Sequence, residues 1–176
     1  MPQAAVGGGG RIDAADQLQR PGYMIRDFAL HTICGERVQI SDYRARTNLV
    51  LLFLGNLPRD DRLLQDVAKR KQDFAVQEAV VVAILPHMPD YEQLQRNCSE
   101  VSLLVDKDAT VHRLFGALDQ QGRPGSVIYI TDRFGEIVSV YSGLHGEELP
   151  GVGDMVKTLE FINHQCPECE PPEWPR

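Results

Sequence analysis

The chain has 176 residues, 43% of them hydrophobic and 24% charged, with a formal net charge of −7. That length carries one domain with a sizeable core, and the composition is that of an ordinary globular protein. No basic run is present and the arginines are scattered, which argues against nucleic acid as a partner; the longest apolar runs, 49–54 and 79–86, are too short to cross a membrane.

Residues 1–19 read as a flexible arm, because Gly7 to Gly10 have no side chains to bury and lose much entropy on ordering. The first residues show neither a basic n-region nor an apolar h-region, so no signal peptide is expected. From 20 to 165 strand and helix signals alternate. Phe28–Ile33 and Arg37–Ile40 flank Gly35 and predict a hairpin. Ser41–Arg44 reads as a turn or a single helical turn. Leu49–Leu54 is apolar on both faces, as a central buried strand is. A helix follows over 61–76, with Leu63, Leu64, Val67, Ala68 and Phe74 toward one side. Ala79–Leu85 is a second buried strand closed by Pro86, 90–96 a short helix, Val101–Val105 a third strand and Ala109–Phe115 a helix ended by Gly116. Val127–Thr131 and Glu136–Tyr141 form a second hairpin around Arg133-Phe134-Gly135. A last helix over 152–165 spaces Val152, Met155, Val156, Leu159 and Ile162 for burial. This order predicts an α/β fold with a central mixed sheet flanked by helices on both faces. Residues 166–176 remain as a C-terminal tail.

Four stretches resemble the peroxiredoxin-like redoxins, the alkyl hydroperoxide reductase and thiol-specific antioxidant superfamily. Asp27-Phe28-Ala29-Leu30 is similar to the family's opening. Gly35 to Arg44 is similar to its G-x-x-V-x-L-S-D-Y-R segment. Asn48–Phe53 matches the strand before its active site, and Ser126–Ile137 its I-D-x-x-G-x-I hairpin. Their order and spacing cover about 21–162 and imply a thioredoxin-like fold with an N-terminal β-hairpin extension. The resemblance implies antioxidant or disulfide-exchange activity. Arg26 stands where the family has a proline.

The departure that matters lies in the turn after the first central strand. Relatives place a reactive cysteine there, in the first turn of a helix, where the helix N-terminus and an arginine favour the thiolate that attacks peroxide. This chain reads Pro58-Arg59-Asp60-Asp61, and no cysteine lies between Cys34 and Cys98. Pro58, Asp60 and Asp61 are thus the equivalents of the active-site turn. An acid at a helix start is ordinarily a cap on free N–H groups. A proline opposite this turn is also displaced: Ser126, not Pro124, falls at that position, and Pro124 raises the question of a cis bond. Arg123 is the candidate anion or substrate contact by resemblance, against the default of a solvated loop arginine.

The chain's paired cysteines are Cys166 and Cys169, in Cys-Pro-Glu-Cys near the C-terminus. As a redox pair they exchange with partner thiols; as a metal knuckle they aim two sulfurs at zinc; as an ordinary reduced tail they do neither. Following a helix C-terminus, beside Glu168, Glu170 and Glu173, they form thiolates poorly unless a cation sits nearby. Two ligands fall short of a structural zinc site, so a second chain's pair is needed, which predicts a homodimer in that reading. Cys34 and Cys98 read as ordinary small residues, His87 and His112 as a loop histidine and a packed or solvated helix histidine, and Trp174 docks on this chain or on a partner.

Two functions follow. In one the chain is a cytoplasmic thiol-disulfide oxidoreductase, Cys166 and Cys169 carrying the electrons to protein thiols; the lack of a secretory signal places those cysteines in a reducing cytosol. In the other it is a non-catalytic binding module for a protein partner, with zinc held by the same pair.

Overall fold

The computed structural model describes residues 19–55, 57–88 and 101–165, with the side chains of all of these except 57–59. In chain order the elements are β1 (Ala29–Thr32), β2 (Arg37–Gln39), a 3-10 turn (Ile40–Tyr43), β3 (Asn48–Phe53), α1 (Leu57–Lys69), α2 (Lys71–Val76), β4 (Ala79–Leu85), β5 (Ser102–Val105), α3 (Thr110–Leu114), β6 (Val127–Thr131), β7 (Ile137–Ser142) and α4 (Val152–His164). One seven-stranded sheet runs in the order β2-β1-β5-β4-β3-β6-β7.

The centre is parallel: β3 pairs with β4 from Asn48↔Ala79 to Phe53↔Ile84, and β4 with β5. The flanks are antiparallel: β6 runs against β3 with Phe53↔Val127, and β7 against β6. The N-terminal hairpin joins the other edge, β1 pairing with β5 through His31↔Val105. The sheet is mixed, as expected, and the hairpin is part of it.

Alternation along β3 divides the core into two layers. Val50, Leu52 and Leu54 meet Leu64 and Val67 of α1, Phe74 of α2 and Met155, Leu159 and Ile162 of α4. Leu49, Leu51 and Phe53 face the other way, toward Ile25, Phe28, Phe115 and Tyr129. Phe115 stacks edge-on against both Phe28 and Tyr129, at centroid distances of 5.3 and 5.4 Å.

The helix expected over 61–76 is two helices. The first begins at Leu57 and stops at Lys69. Arg70 leaves the helical region (φ −110°, ψ 21°), and its Nε donates to Asp73 Oδ2 at 2.7 Å. The chain re-enters a helix that buries Phe74 and ends at Val76, two residues before Glu78, where φ is +50°. The helix expected over 90–96 lies outside the described residues. All described peptide bonds are trans, that before Pro124 included.

Candidate functional site

The C-terminal ends of parallel strands are where α/β sheets present their ligand sites. Here β3 ends at Phe53, and Leu54 and Gly55 lead toward α1. Gly55 lies against the Pro124–Gly125 backbone, so tightly that a Cβ would land on the Pro124 carbonyl oxygen and the Gly125 Cα. Gly125 in turn has no room for a Cβ beneath the Leu144 side chain. Three loops therefore close together over the helix mouth.

Asp60 fills that mouth. It is 1% exposed, and its Oδ2 accepts the Gly55 N–H at 2.9 Å. The Ser126 hydroxyl donates to the same carboxylate, 2.9 Å from each oxygen. The acid reaches back to Gly55, two positions before the helix, and also ties α1 to the start of β6. A carboxylate held this way performs no thiol–disulfide exchange and offers no sulfur to peroxide.

A second buried pair lies behind the turn. Asp106 ends β5 and caps α3: its carboxylate accepts the Thr110 N–H at 3.1 Å and the His112 N–H at 2.8 Å. The His112 ring, 0% exposed, places Nδ1 2.8 Å from Asp106 Oδ2 and Nε2 3.3 Å from the Leu54 carbonyl oxygen. Phe53 meets the imidazole edge-on, its plane at 82°. Burial pushes the Asp106 carboxyl up, but the hydrogen bonds from the His112 ring and from the His112 and Val111 backbone prevail and hold it below the usual carboxylate value.

The other residues singled out in the sequence are spread more widely. Asp61 is half-buried on α1 and accepts from Gln65 Nε2 at 2.8 Å, so it takes no part in the clasp. Pro58 lies in the first turn of α1, and its side chain is outside the described set. Arg123 is exposed and turned to Asp119, with Nε and Nη2 both 2.8 Å from its Oδ2. His87 is exposed after β4, and Cys34 is exposed in the β1–β2 turn without a disulfide. Cys98, Cys166, Cys169 and Trp174 lie outside the described residues. Among the described residues no group of three or more His, Cys, Asp or Glu could hold a metal ion, and no helix is long and apolar enough to cross a membrane.

Sequence reasoning left His112 as a packed or solvated helix histidine and passed over Asp106; the ring is packed. Asp106 closing a strand just ahead of a short helix was a legible capping signal. Its partnership with the ring and with Leu54 was not, because the Leu54 contact spans 58 positions.

A mixed sheet with a β-α-β entry, an antiparallel closing hairpin and a turn-to-helix mouth at the end of β3 defines a thioredoxin-fold redoxin of the peroxiredoxin type. The solved structures agree. Mycobacterium tuberculosis AhpC superposes with a TM-score of 0.66, over 84% of this chain and 94% of that one, at 14% identity. Enterococcus faecalis AhpC gives 0.67 over 81% and 92% at 18% identity, and the peroxidoxin BcpB of Mycobacterium tuberculosis 0.66 over 81% and 97% at 20% identity. Identities this low speak for the fold alone. No curated protein matches the sequence significantly. The AhpC/TSA family model matches residues 21–140, and the chain belongs to that family.

Proposed function

We propose that this chain is a redoxin that does not reduce peroxide at its helix mouth and instead exchanges protein thiols and disulfides through Cys166 and Cys169. The observation that carries this reading is the buried Asp60 carboxylate, bonded to Gly55 and Ser126 where relatives need a thiolate. In the step proposed, one tail thiolate attacks a partner disulfide and forms a mixed disulfide, releasing a partner thiolate. The second tail thiolate then displaces the other partner sulfur. Two electrons pass to the partner, and a dithiol donor returns the Cys166–Cys169 disulfide to its reduced form.

The described end of α4 sits at the opposite end of β3 from the mouth. Asn163 Oδ1 accepts from Asn48 Nδ2 at 2.8 Å, at the beginning of β3, whereas the mouth opens past the end of that strand. At about 3.3 Å per residue the two ends of β3 are roughly 20 Å apart.

A second reading is a non-catalytic binding module, the same pair holding zinc together with the pair of a second copy. It is favoured by one observation: α4 ends at His164, so the negative end of the helix dipole lies just before Cys166 and suits a cation better than a thiolate. The tests are peroxide consumption, insulin reduction and elemental analysis on the full chain. The first reading expects no peroxide turnover and disulfide reduction that is lost in Cys166→Ser. Peroxide turnover by the native protein overturns it. About one zinc per two chains, without disulfide reduction, selects the second.

A further inference from the structure

We propose that the charge on His112 sets the conformation of the helix mouth, transmitted through a single peptide group. The Leu54 carbonyl accepts from His112 Nε2 at 3.3 Å, and the N–H of the same peptide unit, on Gly55, donates to Asp60 Oδ2 at 2.9 Å. With Asp106 at one end and Ser126 at the other, the connections form one unbroken chain: Asp106 carboxylate, imidazole, Leu54–Gly55 peptide, Asp60 carboxylate, Ser126 hydroxyl. Hydrogen bonds in series polarise one another, most strongly where water is excluded. Here His112, Asp106 and Asp60 are 0%, 3% and 1% exposed.

The acceptors at the two ring nitrogens decide how the chain responds to protons. Nδ1 faces a carboxylate and Nε2 a carbonyl, and neither oxygen has a hydrogen to give. Both bonds form together only when both nitrogens carry hydrogen. Among the described residues Asp106 is the ionisable group bonded to the ring, and Asp60 acts on it through the peptide; the Phe53 edge brings no charge. Lys107, Asp108 and Arg113, adjacent in sequence, are exposed. When Nε2 loses its hydrogen, a lone pair meets the Leu54 oxygen. The peptide is then less polarised, its N–H is a weaker donor to Asp60, and the clasp on Ser126 loosens.

This device is independent of Cys166 and Cys169, so it stands or falls apart from the proposed exchange chemistry. The test is a nitrogen-15 NMR titration of the full chain from about pH 5 to pH 9, the range in which histidine ordinarily changes charge. The Gly55 and Ser126 amide resonances are expected to shift with the same midpoint as the His112 ring nitrogens. The amide shifts are expected to vanish in His112→Gln. Should that variant not fold, Asp106→Asn is expected to move the ring and amide midpoints together. Amides that stay still while the ring titrates overturn the proposal, as do separate midpoints or a ring that does not titrate in the folded protein.

Discussion

Removing the buried Asp60 side chain takes the acceptor from two half-buried donors, the Gly55 amide and the Ser126 hydroxyl. Asp60→Ala is therefore expected to lower the unfolding free energy by about 2–4 kcal/mol, and Ser126→Ala by about 1 kcal/mol. Urea unfolding of both variants measures this, and two neutral substitutions would show that the clasp does not hold the mouth. Asp106 answers to pH. Its carboxyl titrates lower in the folded chain than the ordinary value of about 3.9, so folding binds the deprotonated form better. The stability this adds is complete above about pH 4 and is lost as pH falls through the folded value. Melting temperatures taken down through that range are expected to fall less steeply in Asp106→Asn than in the native protein.

At the scale of elements, α3 starts from a strained residue. Ala109 precedes it with φ 50° and ψ 27°, the left-handed region, which costs a residue with a Cβ about 1–2 kcal/mol. Ala109→Gly relieves that strain but frees the unfolded chain, so a net gain of about 0.5–1 kcal/mol is expected from denaturant midpoints. No gain would mean that Ala109 is not strained. Elements with a strong period were legible in the sequence: the unbroken apolar runs of β3 and β4, and the five buried positions of α4. The division between α1 and α2 was not, because Lys69 to Lys71 are helix formers and the apolar spacing from Val67 to Phe74 stays in phase with one helix. The clasp was half legible. An acid at the helix start was readable, but its bond to Ser126 spans 66 positions and exists only once the sheet has formed.

For the whole molecule, the described residues of both core layers, taken together, end at Ile162. The last buried residue of α4 is Ile162. A chain ending at Gln165 is expected to melt within about 2 °C of the full-length protein, which corresponds to about 0.5–1 kcal/mol for this size, and to lose disulfide reduction. A much larger drop in melting temperature would make the tail part of the core. By contrast, Phe115→Ala opens the layer where Phe28, Phe53 and Tyr129 converge and is expected to cost about 3–5 kcal/mol.

The junction between the two buried acids is made of backbone, and that limits what mutation can do to it. Any residue at position 54 supplies the same carbonyl, and at position 55 only proline would remove the N–H. Side-chain drift at position 54 spares the carbonyl, whereas any Cβ at position 55 would land on the Pro124 carbonyl oxygen and force the loops apart. The connection can be severed from outside, by changing the groups that bond to it, or from within, by placing any side chain at position 55.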